Sequence, residues 1–532
     1  MPLILISDHL PDSGREALRL APDVTTAGPF PSRAALLAAL PEAGALIVTS
    51  ATTVDAELFD HAPRLKAVAR AGAQLDNVDL DAATRRGIMV LHVPDANLYA
   101  VVEHAFGLLL ALARRTITGA IELQAGRWRR HDLVGRQLHG LTLGVIGLGR
   151  LGHEAVARAR AFGMHALAYD PYTDLAFVRE AGAEVVGLDE LLHRSDVILP
   201  LTAHTDGTHH LLNEAAFAKV KPGALLVNVV HAGLIDEAAL CKALDEGRLD
   251  GAALDVFETE PPDPDDPLVQ HPHVLAVPHL NQNTIESQDL VGRQVVADLL
   301  DALRGADYRS VVNLPFKAEM PYAAVRPYIH LAARLGKLQG QLAEGWITKV
   351  EVELLGEGLE KLVRPVTAVL LSGMLLPVDG VPVNWVSAPV RAHEQGIATA
   401  QAKHLLDLSD YPNLLVCRIH WVRDGAPGHR TVAGALFANG AARLVQYDDF
   451  PIDAEPEGHV IVLENDDVRG IVGTVGTRLG DAGIDIANWR YSRETPGGRA
   501  VSFINVDARV PGEVLADLER HPAVHRARLV KL

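Results

Sequence analysis

Gly147, Gly149 and Gly152 stand in the spacing G-x-G-x-x-G, a pattern whose chemistry is the binding of a dinucleotide pyrophosphate. Gly147 permits the tight turn, Gly149 lets the backbone approach the phosphates, and Gly152 lets helix and strand pack closely. The phosphates are left on N–H groups at the helix start, those of Arg150 and Leu151 among them. Three glycines alone also fit a turn that holds nothing. Asp170 decides between the two, because it follows about 20 residues on, where a carboxylate accepts from a ribose 2′-hydroxyl. It would repel a 2′-phosphate and no Arg adjoins it, so NAD is expected rather than NADP.

These residues need a strand before the glycines, a helix after them and a second strand ending at Asp170. The apolar run 143–146, the Pro-free helical pattern 153–162 and the run 165–169 supply all three. The same alternation extends both ways. Runs 3–7, 45–50, 65–70 and 88–93 with helical patterns between them predict one parallel sheet, and runs 197–201, 224–229, 251–257 and 274–277 continue a second. Helical patterns at 98–124 and 283–304 fall where the chain passes from one to the other, and a cleft between the two units is the expected active site. Beyond residue 312 the pattern changes. A Pro-containing linker at 314–322 leads into an α+β segment that runs to about residue 449, and a break at 451–458 precedes a strand (459–463), a helix (470–482) and strands near 486–493 and 500–508. That is the βαββ order of a small ferredoxin-like domain completed by a helix and strand.

A chain of 532 residues, 48% of them apolar, predicts three or four domains with cores of their own. The net charge of −18, with no sizeable basic run, argues against a nucleic-acid or anionic-membrane partner. Cys241 and Cys417 make neither a disulfide framework nor a zinc site, and both are expected as buried thiols. The longest strongly apolar helical stretch, 105–113, is far shorter than the roughly 18 residues of a membrane span, and Met1 leads straight into a strand, so a cytoplasmic protein is expected.

The motifs continue in order along the chain: R-A-G-x-x-x-D-N-V-D at 70–79, Pro94 with Asn97, Glu103-His104, the glycine fingerprint, N-x-x-x-x-G-x-I-D-E at 228–237, A-L-D-V-F-x-x-E-P-P at 253–262 and Pro278-His279. In these the chain resembles the D-2-hydroxyacid dehydrogenases, in the long phosphoglycerate dehydrogenase form with an intervening domain and a terminal ACT domain. L-G-K-L-Q-G-Q-L at 335–342 and A-P-V-R-A-H-E-Q-G-I at 388–397 extend the likeness to the intervening domain. The resemblance implies two doubly wound parallel-sheet domains, flavodoxin-like and Rossmann, followed by an α+β intervening domain and a ferredoxin-like ACT domain. The substrate-binding domain would comprise 1–98 and 284–315, the NAD domain 99–283, the intervening domain 316–452 and the ACT-like domain 453–532.

It further implies that His279 handles the hydroxyl proton with Glu260 as its carboxylate partner, a pairing that suits the chemistry because imidazole titrates near neutrality and a carboxylate orients it. Asp255 joins the cofactor residues. Arg70, Ala73, Gln74, His92, Asn97 and Asn281 would line the substrate. Where the family pattern holds an Arg that clamps the substrate's α-carboxylate, this chain has His231, and imidazole cannot reproduce the guanidinium's planar fork. Other departures fall on the same half: Gln74 in a loop that is usually glycine-rich, His92 and Ala96, Ala100 for a customary Ser, residues 201–203 for His-x-Pro, and 281–283 for a glycine-containing turn. The cofactor motif is intact, which points to an altered substrate or role rather than decay.

Three functions are therefore open: an NAD-dependent dehydrogenase for a phosphorylated, phosphonate or other 2-hydroxyacid alcohol; ordinary 3-phosphoglycerate oxidation with His231 as a weaker anchor; and a non-catalytic NAD-binding sensor. The right residue types for a metal site exist in His92, His231, His279 and Glu260, but no ligand spacing supports one and none is expected. The resemblance makes a homo-oligomer, dimer or tetramer, the expected state, and an amino-acid effector possible at the terminal domain. There Asp467 is the candidate ammonium acceptor, with Asn465 beside it, Arg469 stands for a usual Pro, and Asp485 stands for an Asn. An ionised Asp only accepts hydrogen bonds, so Asp485 would repel an effector's carboxylate, and weak or absent serine binding is expected.

Overall fold

Near-continuous apolar strands such as Ala43–Val48 and Ala224–Asn228, buried along their whole length, are what a parallel sheet covered on both faces requires. The computed structural model describes residues 1–172, 182–314, 322–375, 383–406, 411–437 and 440–532, and in it the chain forms two compact units, one of residues 94–292 and one of residues 1–93 with 293–532.

The 94–292 unit holds a seven-stranded parallel sheet in the order Val274–Ala276, Leu249–Leu254, Ala224–Asn228, Val197–Pro200, Thr142–Ile146, His165–Tyr169, Glu184–Val185. The chain order reverses between Thr142–Ile146 and Val197–Pro200. Ligands of open α/β sheets bind at such a switch point, at the carboxyl ends of the strands. The other unit contains a five-stranded parallel sheet (Thr25–Ala27, Leu3–Ile6, Ala43–Val48, Ala67–Arg70, Met89–His92) in flavodoxin-like order. It also contains a six-stranded sheet from Trp346–Leu355 to Phe450–Ala454 and a four-stranded antiparallel sheet ordered Ile486–Arg493, Arg499–Val506, His459–Asp466, Val524–Lys531. The last is a βαββαβ unit, as expected. Its Val460, Val462, Phe503 and Val530 share one apolar core with Leu335, Leu338 and Val366 of the α+β segment.

Several expectations need correction. The helix expected over 98–124 is two helices, Leu98–Ala113 and Thr116–Gln124. Arg115 adopts a left-handed φ of 52°, and the Ala113 carbonyl accepts from the Arg136 N–H instead of continuing the helix. The helix after the glycines begins at Arg150, with Gly149 as its N-cap, and not at residue 153. The strand expected at 251–257 is Leu249–Leu254, because its neighbours end at Asn228 and Ala276 and beyond Asp255 no strand residue remains to pair with. The break expected at 451–458 opens with a strand, Phe450–Ala454. It is an edge strand, where Pro451 forfeits no needed hydrogen bond. Most of the expected linker at 314–322 lies outside the described residues. Cys417 is fully buried and its thiol is pushed up to about 12 by burial, whereas Cys241 is only half-buried.

Helices Tyr322–Leu342 and Val363–Met374 touch backbone to backbone. A Cβ on Gly336 would lie 2.3 Å from the Leu370 carbonyl oxygen, and one on Gly340 would lie 2.7 Å from the Met374 Cα. Gly336→Ala should therefore destabilise the protein by about 1–3 kcal/mol through overpacking. The check is a lowered thermal midpoint, and an unchanged one would mean the helices separate at little cost.

Candidate active site

At the carboxyl end of Thr142–Ile146 the three glycines do three different jobs. Gly147 takes φ +98°, and a Cβ there would sit 2.9 Å from Thr202 backbone atoms. A Cβ on Gly152 would strike the Gly147 carbonyl oxygen at 2.2 Å, so this glycine lets the helix start sit on the turn. A Cβ on Gly149 would meet nothing within 4 Å. Among the described residues the middle glycine thus keeps an open cradle beside the first N–H groups of helix Arg150–Ala161, which no described side chain caps. A pyrophosphate fits that cradle by shape and by hydrogen-bond donors. Asp170 is fixed beside it, Oδ2 accepting from the Leu148 N–H at 2.9 Å and Oδ1 from the Tyr172 N–H at 2.9 Å. Arg150 forms an ion pair with Asp95, and Leu151 is partly buried.

Asp255 is 0% exposed. Its N–H donates to the Asn228 carbonyl and its carbonyl accepts from the His279 N–H. Its carboxylate accepts from the N–H groups of Leu280 (2.6 Å) and Asn281 (2.9 Å), with His104 Nε2 3.1 Å from Oδ1. This side chain, expected among the cofactor residues, thus gathers the turn 279–281 against the sheet. His279 takes a left-handed φ of 50°, unusual for a residue with a Cβ and worth of order 1 kcal/mol of local strain. Its Nδ1 lies 2.7 Å from Glu260 Oε2, while Glu260 Oε1 accepts from the Phe257 N–H at 3.1 Å. His279 Nε2 has no hydrogen-bond partner among the described residues.

Two buried amides tie this turn to the loop that carries His231. Asn281 Nδ2 donates to the Val229 carbonyl at 2.6 Å, and Asn228 Nδ2 donates to the carbonyl of His231 at 2.8 Å. Asn97, also buried, donates to Gln282 Oε1. The expected residues Asn97, His231, Asp255, Glu260, His279 and Asn281 therefore share one connected network in the 94–292 unit.

Arg70, Ala73, Gln74 and His92 belong to the other unit. There Arg70 and His92 pair in register at the ends of neighbouring strands, and His92 Nδ1 lies 2.6 Å from the Ala73 carbonyl oxygen. Arg70 is buried, and burial pushes its guanidinium down. Its Nη1 donates to the Ala71 carbonyl while Nε has no partner among the described residues, and a Cβ on Gly72 would overlap Nη1, so the glycine makes room for the guanidinium.

Sequence reasoning did not anticipate the approach of His104 to Asp255, though Glu103-His104 was among the motifs. It also missed a histidine cluster, His204, His209 and His210, beside His231. The run T-H-H at 208–210 was the available signal.

Residues 106–281 match the D-isomer specific 2-hydroxyacid dehydrogenase NAD-binding domain, and residues 324–448 match the D-3-phosphoglycerate dehydrogenase intervening domain. The chain is 36% identical to the D-3-phosphoglycerate dehydrogenase of Bacillus subtilis, over 92% of both chains. It is 37% identical to that of Mycobacterium leprae, over 100% of this chain and 99% of the relative. Among solved structures it is similar to a Thermus thermophilus protein (34% identity, TM-score 0.54, 58% of this chain and 99% of the other). A glyoxylate reductase from Paecilomyes thermophila is similar too (29%, TM-score 0.54, 58% and 98%).

His279→Ala should lower turnover at least about 100-fold while leaving NAD affinity nearly unchanged, and Gly149→Val should abolish NAD binding by filling the cradle. Steady-state kinetics and NAD titration check both. Retained turnover would remove His279 from the chemistry.

Proposed function

Because the chain belongs to the D-isomer specific 2-hydroxyacid dehydrogenase family, in its D-3-phosphoglycerate dehydrogenase form, and is an NAD-dependent oxidoreductase acting on CH–OH, we propose that it oxidises a small alcohol carrying a phosphoryl or phosphonyl group. The observation that carries this assignment is His231, an imidazole where the family pattern has the Arg fork for an α-carboxylate, on a loop latched by Asn228 and Asn281 to the turn of His279. We assign residues 1–98 with 284–315 to substrate binding, 99–283 to NAD, 316–452 to the intervening domain and 453–532 to regulation or assembly.

The residues act in a defined order. The substrate hydroxyl donates to His279 Nε2, which takes the proton as the C–H bond opens. Glu260 holds the imidazole through Nδ1–H and stabilises its cationic form. The Phe257 N–H fixes the carboxylate that does so. NAD, when bound, accepts the hydride. The full-length identity to D-3-phosphoglycerate dehydrogenases favours a second reading, in which 3-phosphoglycerate is oxidised with His231 as a weaker anchor. The sensor alternative is not favoured.

For the terminal domain we propose that serine binds weakly or not at all. Supporting this, the Asp467 carboxylate accepts from Tyr491 Oη, Arg493 Nη1 and the Gly497 N–H, which together lower it to about 2, the Gly497 bond first. Three donors of the neighbouring hairpin thus already occupy the carboxylate that would have to accept from an ammonium. We further propose a homo-oligomer. Helix Thr116–Gln124 buries none of its residues, and Ile121 (57% exposed), Leu123 (59%) and the nearby Trp128 (80%) leave apolar area that a second copy would cover.

A screen for NAD reduction by hydroxyalkyl phosphonates, phosphorylated alcohols, 3-phosphoglycerate and simple 2-hydroxyacids tests the substrate class. His231→Arg should lower kcat/KM for the preferred phosphoryl or phosphonyl substrate at least about tenfold without conferring 2-hydroxycarboxylate oxidation. Improved 3-phosphoglycerate turnover in that variant would establish the second reading instead. Calorimetry with L-serine should show no tight binding, and tight binding that Asp485→Asn leaves unchanged would refute the assignment for the terminal domain.

A further inference from the structure

The loop after strand Val197–Pro200 brings a group of imidazoles onto the loop of His231. A Cβ on Gly233 would lie 2.6 Å from His204 Nε2, so the ring of His204 rests on the short helical turn Ala232–Leu234 that His231 opens. The His204 and His231 rings stand 6.3 Å apart and tilted by 36°. His204 Nε2 is 3.1 Å from His209 Nδ1. One proton lies between these two nitrogens, and Nδ1 is left as the site from which His204 can donate to a ligand. His209 stacks on His210 at 3.9 Å, and His210 Nε2 donates to Glu258 Oε1 at 2.6 Å. Among the described residues the charged groups shown at this cluster are Glu258 and, behind it, Glu237, whose carboxylate accepts from the Glu258 N–H; Asp206 lies on the same exposed loop. Glu258 meets the cluster at His210, and Asp206 lies two residues along the loop from His204.

Neighbouring imidazoles discourage one another's protonation, and a bound dianion reverses that preference by favouring the cationic form. The oxygens of a tetrahedral dianion point apart and can accept from two separate N–H donors, whereas a planar carboxylate is matched by a guanidinium fork. We propose that His204 is a second specificity-determining residue, which together with His231 receives the phosphoryl or phosphonyl dianion of the substrate and takes up a proton from solvent as it does so. This rests on the placing of the substrate's anionic group at His231 under the proposed function.

Sulfate is the probe, since it stays dianionic across the relevant range, and the NAD-saturated full chain is the protein. Calorimetry at pH 6.5 and 7.5, at constant ionic strength and in buffers of different protonation enthalpy, reads affinity and proton uptake together, with acetate as the monoanionic control. Wild type should bind sulfate with uptake of a proton and lose affinity as pH rises, by up to about tenfold per unit. His204→Gln should keep its NAD affinity, bind sulfate at least about tenfold more weakly at pH 6.5 and lose the uptake. Absent sulfate binding, binding without proton uptake, or a His204→Gln protein with wild-type affinity and uptake would each overturn the proposal. Parallel turnover assays with hydroxyalkyl phosphonates separate the two levels. Lost sulfate binding in the variant with no turnover of any such alcohol by wild type defeats the substrate assignment alone. Wild-type turnover with an unchanged KM and pH profile in His204→Gln defeats the role of His204 alone.

Discussion

A carboxylate with no access to water must find hydrogen-bond donors within the protein or destabilise the fold by several kcal/mol, and Asp255, 0% exposed, is that carboxylate here. Its donors are the N–H groups of Leu280 and Asn281, and its own backbone reaches Asn228 on one side and His279 on the other. Satisfying one buried side chain therefore draws the end of strand Ala224–Asn228 and the turn 279–281 together. The left-handed backbone of His279 follows from the same constraint. A residue with a Cβ adopts that conformation only when its surroundings leave it no other, and two bonds from Asp255 to the next two residues do so. With the backbone fixed, the imidazole meets Glu260, whose other oxygen is held by Phe257.

The cofactor half depends on a different constraint, the close approach of backbone to backbone. Gly152 against the Gly147 carbonyl sets the helix on the turn, and the empty space at Gly149 is what remains for a ligand. Both halves stand at the carboxyl edge of one seven-stranded sheet, so a single element order positions the open cradle and the paired imidazole.

Sequence spacing made much of this legible. Glycines at fixed intervals, an acid about 20 residues on and apolar runs alternating with helical patterns are local signals, and the strand His165–Tyr169 and the βαββαβ order of the last domain follow from them. What spacing could not show are interactions set by partners far along the chain. The helix over 98–124 breaks because Arg136 captures the Ala113 carbonyl, and Pro451 sits in a strand because that strand forms an edge. Asp255 was legible as a motif residue but not as the tie between two strand ends. Asp467 was legible as an acid where the resemblance expects an effector's ammonium. That its carboxylate is already engaged by Tyr491, Arg493 and Gly497 depends on a hairpin some 25 to 30 residues away.

The departures from the family pattern fall unevenly across these constraints. The glycines and Asp170 cannot change without filling the cradle or freeing the strand end, and Asp255 and Asn228 cannot change without leaving buried groups unpaired; Asn281, itself a departure, supplies a buried bond of its own to the Val229 carbonyl. Gln74, His92 and His231 are held differently. Gln74 follows the strand end at Arg70 and His92 ends its own strand in the five-stranded sheet, and His231 is latched to Asn228 through its backbone carbonyl. An imidazole can replace a guanidinium at that position without disturbing Asn228, Asn281 or the turn of His279. The buried side chains of Asp255, Asn228 and Asn281 hold the turn and the loop together, whereas His231 is tied through its backbone carbonyl, so the side chain at 231 can change without loosening the turn of His279.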